Sequence, residues 1–119
     1  MPYISVNVAA RLEQPQKEHI KKSMGETITV IPGKTEAVTM VRIDDDCSLY
    51  LAGRELENGA FIEIRLLGEA DRADKEALTK AVYKAMADIL AMPESDIYIN
   101  FIEMDCWGAG GRLIAQLKN

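Results

Sequence analysis

The 119-residue sequence has few of the side chains that most often build metal and redox sites. It contains one histidine and two cysteines, and Cys47 and Cys106 are too far apart to form a C-x-x-C pair. Their spacing does not establish a disulfide, because that bond requires the two residues to lie close in space. We therefore expect two reduced, half-buried thiols. His19, which is next to Ile20 on a predicted helix, is expected to be a surface residue rather than a base.

Positive charge is also scarce. Lys and Arg total 14 against 19 Asp and Glu, which gives a net charge of −5 and a pI near 4.9. This balance argues against a general nucleic-acid-binding protein, which needs a basic surface, and against binding to anionic membranes. No apolar run approaches the roughly 20 residues that span a bilayer, and the first residues lack the layout of a signal peptide. A cytoplasmic location is the default expectation.

The acidic residues include one run, Asp44-Asp45-Asp46, that could suggest a cation site. Calcium loops place their ligands at alternate positions around a glycine turn, and three consecutive carboxylates do not. The run therefore predicts a solvated turn, and we assign no metal ligands in the chain.

The first half of the chain predicts a strand, a helix and a second strand. Residues 1–8 alternate between apolar and polar, the pattern of a strand with one buried face. A helix begins at Gln14-Pro15, where the missing N–H of proline costs nothing, and ends at Pro32-Gly33. The apolar stripe of this helix consists of Ile20, Met24, Ile28 and Ile31. Residues 38–43 predict the second strand, which runs parallel to the first if the helix crosses over.

The second half repeats this order. Residues 48–51 predict a short strand and residues 54–59 a polar loop. Residues 60–67 predict a long strand with Ile62, Ile64 and Leu66 on one face. The second helix is expected to begin after Asp71, and Pro93 ends it. Its helically spaced apolar residues are Leu78, Val82, Met86 and Ile89. Residues 97–102 predict the last strand, with Tyr98 and Asn100 on a shared face.

Two β-α-β units predict an α+β fold within a single domain of residues 1–119. The expected architecture is a two-layer α/β sandwich, in which a four-stranded mixed sheet carries two helices on one face. The other face of the sheet would lack a cover, and a bare apolar face must be buried against a partner. We therefore expect an oligomer. The glycine-rich residues 107–114 are consistent with an arm that crosses to a neighbouring subunit, and their spacing does not match a dinucleotide-binding fingerprint.

The start of the chain places a proline directly after the initiator methionine. Small residues after methionine favour its removal, and that removal would leave Pro2 as an amino-terminal secondary amine at the start of a strand. Most chain termini are frayed and solvated, whereas an amine held at the mouth of a sheet is a candidate base or nucleophile. The removal is essential to this hypothesis, because an acylated proline nitrogen has no lone pair to offer.

Taken together, these residues resemble the tautomerase superfamily, and within it the branch of macrophage migration inhibitory factor and D-dopachrome tautomerase. The similarity runs over the whole chain, and the tail with Trp107 looks more like the D-dopachrome tautomerase branch. The markers are Met1-Pro2, Pro32-Gly33-Lys34, Ile64 and Ile97-Tyr98-Ile99-Asn100. The resemblance implies a trimer in which three four-stranded sheets wrap into a barrel, with helices outside and active sites between subunits.

The resemblance also implies a function, the keto–enol tautomerisation of phenylpyruvate-like 2-keto acids without a metal or organic cofactor. Pro2 would be the catalytic base, and burial and a nearby cation would have to lower its pKa for it to act near neutrality. Lys34 would be that cation and would pair with the substrate carboxylate. The backbone N–H of Ile64 would donate to the substrate. Tyr98 and Asn100 would line the pocket from a neighbouring subunit.

Departures from the family leave alternatives open. Members with thiol redox chemistry carry a C-x-x-C where this chain has residues 57–60, so an oxidoreductase role is rejected. The dehalogenase, hydratase and decarboxylase branches use additional arginines or acidic residues, and Arg42 and Arg65 are available for such a reaction. A secreted, cytokine-like ligand that engages a receptor is an alternative of a different class, since such relatives leave cells without a signal peptide. A structural trimer without chemistry is a third.

Overall fold

A computed structural model describes residues 1–115 of the chain as two α-helices, a central sheet and two small hairpins. The helices are α1 Gln14–Thr27 and α2 Arg72–Leu90. The strands are β1 Pro2–Val8, β2 Met40–Asp44, β3 Tyr50–Leu51, β4 Arg54–Glu55, β5 Ala60–Leu67, β6 Ile97–Met104, β7 Cys106–Ala109 and β8 Arg112–Ala115. Neither helix is long and apolar enough to cross a membrane.

The central sheet has the strand order β2-β1-β5-β6. β1 pairs in parallel with β2 and antiparallel with β5, and β5 pairs in parallel with β6. Each parallel pair is connected through one helix, as parallel neighbours require a crossover. The predicted four-stranded mixed sheet, built from two β-α-β units, is therefore confirmed.

Both helices pack on the same face of this sheet and on each other, which closes a single apolar core. The largest fully buried side chains are Ile4, Val6, Val8, Ile20, Met24, Ile28, Ile62, Ile64, Leu66, Leu78, Met86 and Ile97. Each of these contributes roughly 1.5–3 kcal/mol of transfer free energy. The apolar stripe predicted for the first helix lies in this core. The α-helix itself ends at Thr27, and a 3₁₀ turn, Ile28–Val30, continues it towards Pro32.

The opposite face of the sheet is mixed rather than uniformly apolar as expected, because a polar row crosses its centre beside the apolar or aromatic residues Tyr3, Met40, Phe61, Ile102 and Met104. The strand register aligns Arg42, Ser5, Glu63 and Asn100 in one row across all four strands. The reason lies in the alternation itself, because the residues between the buried side chains of β1 point outwards and are largely polar. Within residues 1–115 no strand pairs with the outer edges of β2 and β6, and the oligomer stays a prediction.

Three local features differ from the prediction. β2 begins at Met40 rather than Val38, because Glu36–Val38 forms a 3₁₀ turn. Arg54–Glu55, expected in a loop, pairs with β3 as a short hairpin. The acidic turn is less solvated than predicted, since a carboxylate oxygen of Asp45 accepts a hydrogen bond from the N–H of Leu12 at 2.8 Å.

The predicted arm near the carboxyl terminus is a β-hairpin, in which β7 pairs antiparallel with β8. Gly110 and Gly111 form its turn with φ values of 60° and 80°, a conformation that glycine adopts without strain. The crossing of this hairpin to a neighbouring subunit stays a prediction. Residues 116–119, the end of the expected domain, lie outside the described residues.

Candidate active site

The amino terminus lies at the end of the sheet where β5 ends and β1 begins. Pro2 pairs in register with Leu66 and is buried. The carbonyl oxygen of Met1 accepts a hydrogen bond from the N–H of Leu67 at 3.3 Å. Strand pairing therefore holds the first two residues in place, unlike most chain termini, which fray.

Lys34 approaches this end of the sheet from the connection between α1 and β2. Gly33 turns the chain with a φ of 82°, and the N–H of Lys34 donates to the carbonyl oxygen of Ile31 at 3.1 Å. The Nζ atom of Lys34 donates to the carbonyl oxygen of Leu67, also at 3.1 Å. The backbone of Leu67 therefore contacts both the lysine and the first residue of the chain.

This environment makes the terminal amine a weaker base. Burial lowers the pKa of the Met1 amino group, and the charge of Lys34 and its hydrogen bond to the amine lower that pKa further. Both effects disfavour the protonated form. Pro2 lies one residue further into the sheet and is more deeply buried than Met1.

The structure places Leu67, and not Ile64, beside the amino terminus. Ile64 pairs with Ile4, about 7 Å along the strand from Leu66, and its side chain is fully buried on the helix-covered face. As part of an interior strand, Ile64 directs its N–H at a neighbouring strand. The N–H of Leu67 instead bonds to Met1, and removal of Met1 would free it. Leu67 therefore occupies the position that the predicted backbone donor requires.

Tyr98 and Asn100 are remote from Pro2 within one chain. The register aligns Pro2 with Leu66 and Glu103, and Tyr98 precedes Glu103 by five residues on β6. This offset corresponds to about 16 Å along the strand, with two strand spacings, about 10 Å, across the sheet. Tyr98 is 60% exposed, and the buried Oδ1 atom of Asn100 has no hydrogen-bond partner among residues 1–115. One chain therefore does not bring these side chains to the amino terminus.

A cavity of about 560 Å³ opens beside the amino terminus. Its lining is largely apolar and consists of Met1, Pro2, Tyr3, Val38, Met40, Trp107, Gly108, Ala109 and Gly110. The volume lies in the range of small-molecule sites. Tyr3 and Met40 border the same space because they are partners in the register of β1 and β2.

Sequence reasoning missed the walls of this cavity. Trp107 was recognised as a feature of the tail, but the glycine-rich hairpin has no periodicity that would direct its ring towards the amino terminus. The place of Met40 in the cavity wall follows from the pairing of the parallel strands β1 and β2, because Met40 lies opposite Tyr3. That register depends on the length of the connection, and the strand was predicted to begin at Val38, two residues before its start at Met40.

The cysteines and the acidic groups take no part in this constellation. Cys47 and Cys106 are both free thiols, and Cys106 is more exposed than expected. Within the part of the chain that the structure describes, no group of three potential ligands could hold a metal ion. The groups assembled at the amino terminus are an amine, an ammonium group and a backbone donor.

Solved structures of the tautomerase superfamily share this fold. Leishmania major MIF2 matches with a TM-score of 0.88 and 18% identity over 96% of this chain and 97% of its own. A macrophage migration inhibitory factor-like protein from Entamoeba histolytica matches with a TM-score of 0.83 and 19% identity over 95% and 98%. N1, a member of the cis-3-chloroacrylic acid dehalogenase family, has a TM-score of 0.78 and 19% identity over 96% and 84%.

The sequence itself identifies the family. The model of the macrophage migration inhibitory factor family matches residues 1–113, and the chain belongs to that family. No curated protein matches the sequence. The identities to the solved structures are low enough that they show the fold alone, so the activity has to be argued from the residues at the amino terminus.

Proposed function

We propose that the processed chain is a cofactor-independent keto–enol tautomerase of phenylpyruvate-like 2-keto acids. A tautomerase-superfamily fold supports an isomerase or a related enzyme in general. The observation that supports this reaction is the position of the amino terminus. The Met1 amine, whose pKa is lowered, lies beside Lys34 and the end of β5, next to a largely apolar cavity, and the Pro2 amine would be the terminal group there once Met1 is removed. A base, a cation and an apolar wall are the parts that enolisation of such an acid requires.

The proposed proton transfer begins at Pro2. Its neutral nitrogen removes a proton from carbon 3 of the keto acid, and the electron pair of the C–H bond forms the double bond between carbons 2 and 3. The carbonyl electron pair moves to oxygen, and the protonated Pro2 returns its proton to the resulting enolate oxygen, which regenerates the neutral base. The reverse sequence returns the keto form. No redox partner is consumed, because the reaction only relocates one proton and one double bond.

Lys34 and Leu67 would orient the acid and stabilise its developing charge. The ammonium group of Lys34 is held 3.1 Å from the Leu67 carbonyl oxygen, so it is already fixed near the nitrogen that acts as base. It would pair with the substrate carboxylate and lower the energy of the enolate oxygen. The N–H of Leu67, free of Met1 after processing, would supply a second donor. The apolar side chain of the acid would contact the walls formed by Val38, Met40 and Trp107.

The proposed assembly is a homotrimer with its sites between chains. Tyr98 and Asn100 cannot reach Pro2 of their own chain, whereas a neighbour that packs on the open sheet edges could present them there. The unpartnered Oδ1 atom of Asn100 supports this role, because a buried acceptor without a donor is unfavourable. Cyclic symmetry would then repeat one composite site three times.

The decisive experiment combines intact mass with an ultraviolet assay of phenylpyruvate enol-to-keto conversion across pH. We expect the natively produced protein to lack Met1, and its turnover to rise with pH through an amine pKa that lies below the ordinary value. A processed chain that assembles but shows no turnover would overturn the phenylpyruvate assignment. The function would then be sought among the other reactions of the superfamily or in a ligand role.

A further inference from the structure

A second cation lies near the amino terminus, on the outer face of the sheet. Arg65 is the register partner of Tyr3, and it directly precedes Leu66, the partner of Pro2. The guanidinium carbon of Arg65 lies 5.7 Å from the centroid of the Tyr3 ring, a distance typical of a cation–π contact. Since Tyr3 also lines the cavity beside Pro2, this contact holds the arginine at the border of the candidate site.

Arg65 has hydrogen-bonding capacity that the described residues do not use. Its nearest carboxylate is Glu63, whose Oε2 atom is 4.0 Å from Nη2, too far for a good hydrogen bond. The Nε atom of Arg65 is shielded from solvent and has no hydrogen-bond partner within residues 1–115. By contrast, Nε of Arg42 on the same face lies 2.9 Å from a carboxylate oxygen of Asp44. Arg65 is therefore the outer-face arginine with unused donor capacity, and because its side chain is 40% exposed while Nε is shielded, an added oxygen would meet the terminal Nη groups.

The space around Arg65 adjoins the space around Pro2. A second cavity of about 290 Å³ is lined by Tyr3, Arg65, Met104, Cys106, Trp107 and Gly108. Tyr3, Trp107 and Gly108 border both cavities. An extended molecule whose reacting end lies at Pro2 and Lys34 would therefore point its far end along this shared wall towards Arg65.

We propose that the preferred substrate is a 2-keto acid with a second carboxylate at the far end of its chain, and that Arg65 binds this carboxylate. This inference rests on the tautomerase function proposed above and specifies its substrate class. A guanidinium group binds a carboxylate through two parallel N–H donors, whereas an apolar end group accepts no hydrogen bond from it. The proton transfer at carbon 3 is unchanged, because Arg65 contacts only the distal group.

The test uses two acids that differ only at the far end. 2-Oxohexanoate ends in a methyl group and 2-oxoadipate ends in a carboxylate on a chain of the same length. Exchange of the carbon 3 hydrogens with solvent deuterium, followed by proton NMR, measures enolisation of both. We expect the processed protein to have the higher kcat/KM for 2-oxoadipate. Arg65→Gln should lower this preference by about 10- to 100-fold, mainly through KM, as loss of a charge-assisted hydrogen bond does. Arg65→Lys should restore part of it.

Arg11→Gln is the matched control, because Arg11 is an exposed arginine outside both cavity linings, and it should leave the preference within about twofold. An unchanged preference in Arg65→Gln, or an equal loss for both acids, would overturn the role of Arg65. Exchange of 2-oxohexanoate with no advantage for 2-oxoadipate would overturn the substrate class and leave the tautomerase proposal standing. If neither acid exchanged, calorimetry with 2-oxoadipate would still decide: binding that weakens in Arg65→Gln supports the carboxylate site, and equal or absent binding in both proteins rejects it.

Discussion

The two ends of the β1–β5 pair are built alike and serve different purposes. At one end the N–H of Ala9, just after β1, donates to the carbonyl oxygen of Gly59, just before β5, at 2.9 Å. At the other end the N–H of Leu67, the last residue of β5, donates to the carbonyl oxygen of Met1, just before β1, at 3.3 Å. The two β-α-β units thus place a matching backbone hydrogen bond at each end of the β1–β5 pair. The difference lies in what surrounds the two hydrogen bonds.

One end of the β1–β5 pair is tightly packed, and the other borders a cavity. A Cβ atom on Gly59 would lie 2.8 Å from the carbonyl oxygen of Asp96 and 2.7 Å from the side chain of Leu56, so this end is closed by packing. The Met1 end opens on a cavity and holds the ammonium group of Lys34. One end of the β1–β5 pair is therefore closed by packing, and the other borders the candidate active site.

The largest loss of activity is expected when the chain is extended before Pro2. A two-residue extension that stays attached before Pro2 acylates its nitrogen and should lower kcat/KM for phenylpyruvate by about 10³-fold, the contribution of a general base. The melting temperature should change little, because the Leu67 hydrogen bond keeps its acceptor. Proteolytic removal of the extension, leaving Pro2 first, is the control and should restore turnover. Full activity of the extended chain would exclude Pro2 as the base.

Removing the cation from the open end should have the next largest effect. Lys34→Gln should lower kcat/KM by about 10²-fold, because a charge-assisted contact to the substrate is lost. Lys34 lowers the pKa of the Met1 amine, and we expect it to act in the same way on the Pro2 amine of the processed chain, so the variant amine should have a higher pKa. Its pH–rate profile should therefore rise at higher pH than that of the parent.

Lys22→Gln serves as the control for Lys34→Gln, since Lys22 is an exposed lysine on α1, outside the cavity lining. It should leave both the rate and the pH midpoint unchanged. A Lys34→Gln profile with the parent midpoint would show that Lys34 does not act on the base, even if the rate falls.

The closed end should respond in stability rather than in chemistry. Gly59→Ala forces a Cβ against Leu56 and Asp96, and we expect a loss of about 2 kcal/mol in the free energy of unfolding, as for other overpacked sites. Gly108→Ala is the matched control, because a Cβ there meets nothing within 4 Å, and its unfolding free energy should stay within about 0.5 kcal/mol of the parent. Denaturant titration measures both. Equal stability of the two variants would contradict the packing difference between the two ends.

The sequence predicted the parts of this molecule that repeat with a regular period. The bounds of β5, Ala60–Leu67, are those predicted, and the stripe from Ile20 to Ile31 is buried, because alternation and helical spacing are local consequences of which side faces the core. Pro2 and Lys34 could be paired as candidates before the fold was known, since the resemblance to the family places both.

The remaining site features depend on how elements are aligned, which no local pattern contains. Ile64 and Leu67 are three residues apart on one strand, and only the pairing of β5 with β1 decides which lies beside Met1. The Trp107 wall depends on where a glycine-rich hairpin projects. The polar row across the outer face follows from the alternation of β1, whereas the number of helices alone predicts only that this face lacks a cover.

The smallest expected effect tests whether the open end is completed by another chain. Tyr98→Ala should lower kcat/KM by about tenfold if the side chain lines the site. Mixing this variant, which keeps Pro2 free, with the extended chain, which keeps Tyr98, makes assemblies in which a free proline faces an intact tyrosine. In a random equal mixture about half of the free prolines gain such a neighbour, so activity per free proline should rise about fivefold if subunits exchange in a closed ring. The parent mixed with the same extended chain controls for exchange itself. No rise in the test mixture, with subunit exchange verified by mass, would place Tyr98 outside the site of the neighbouring chain.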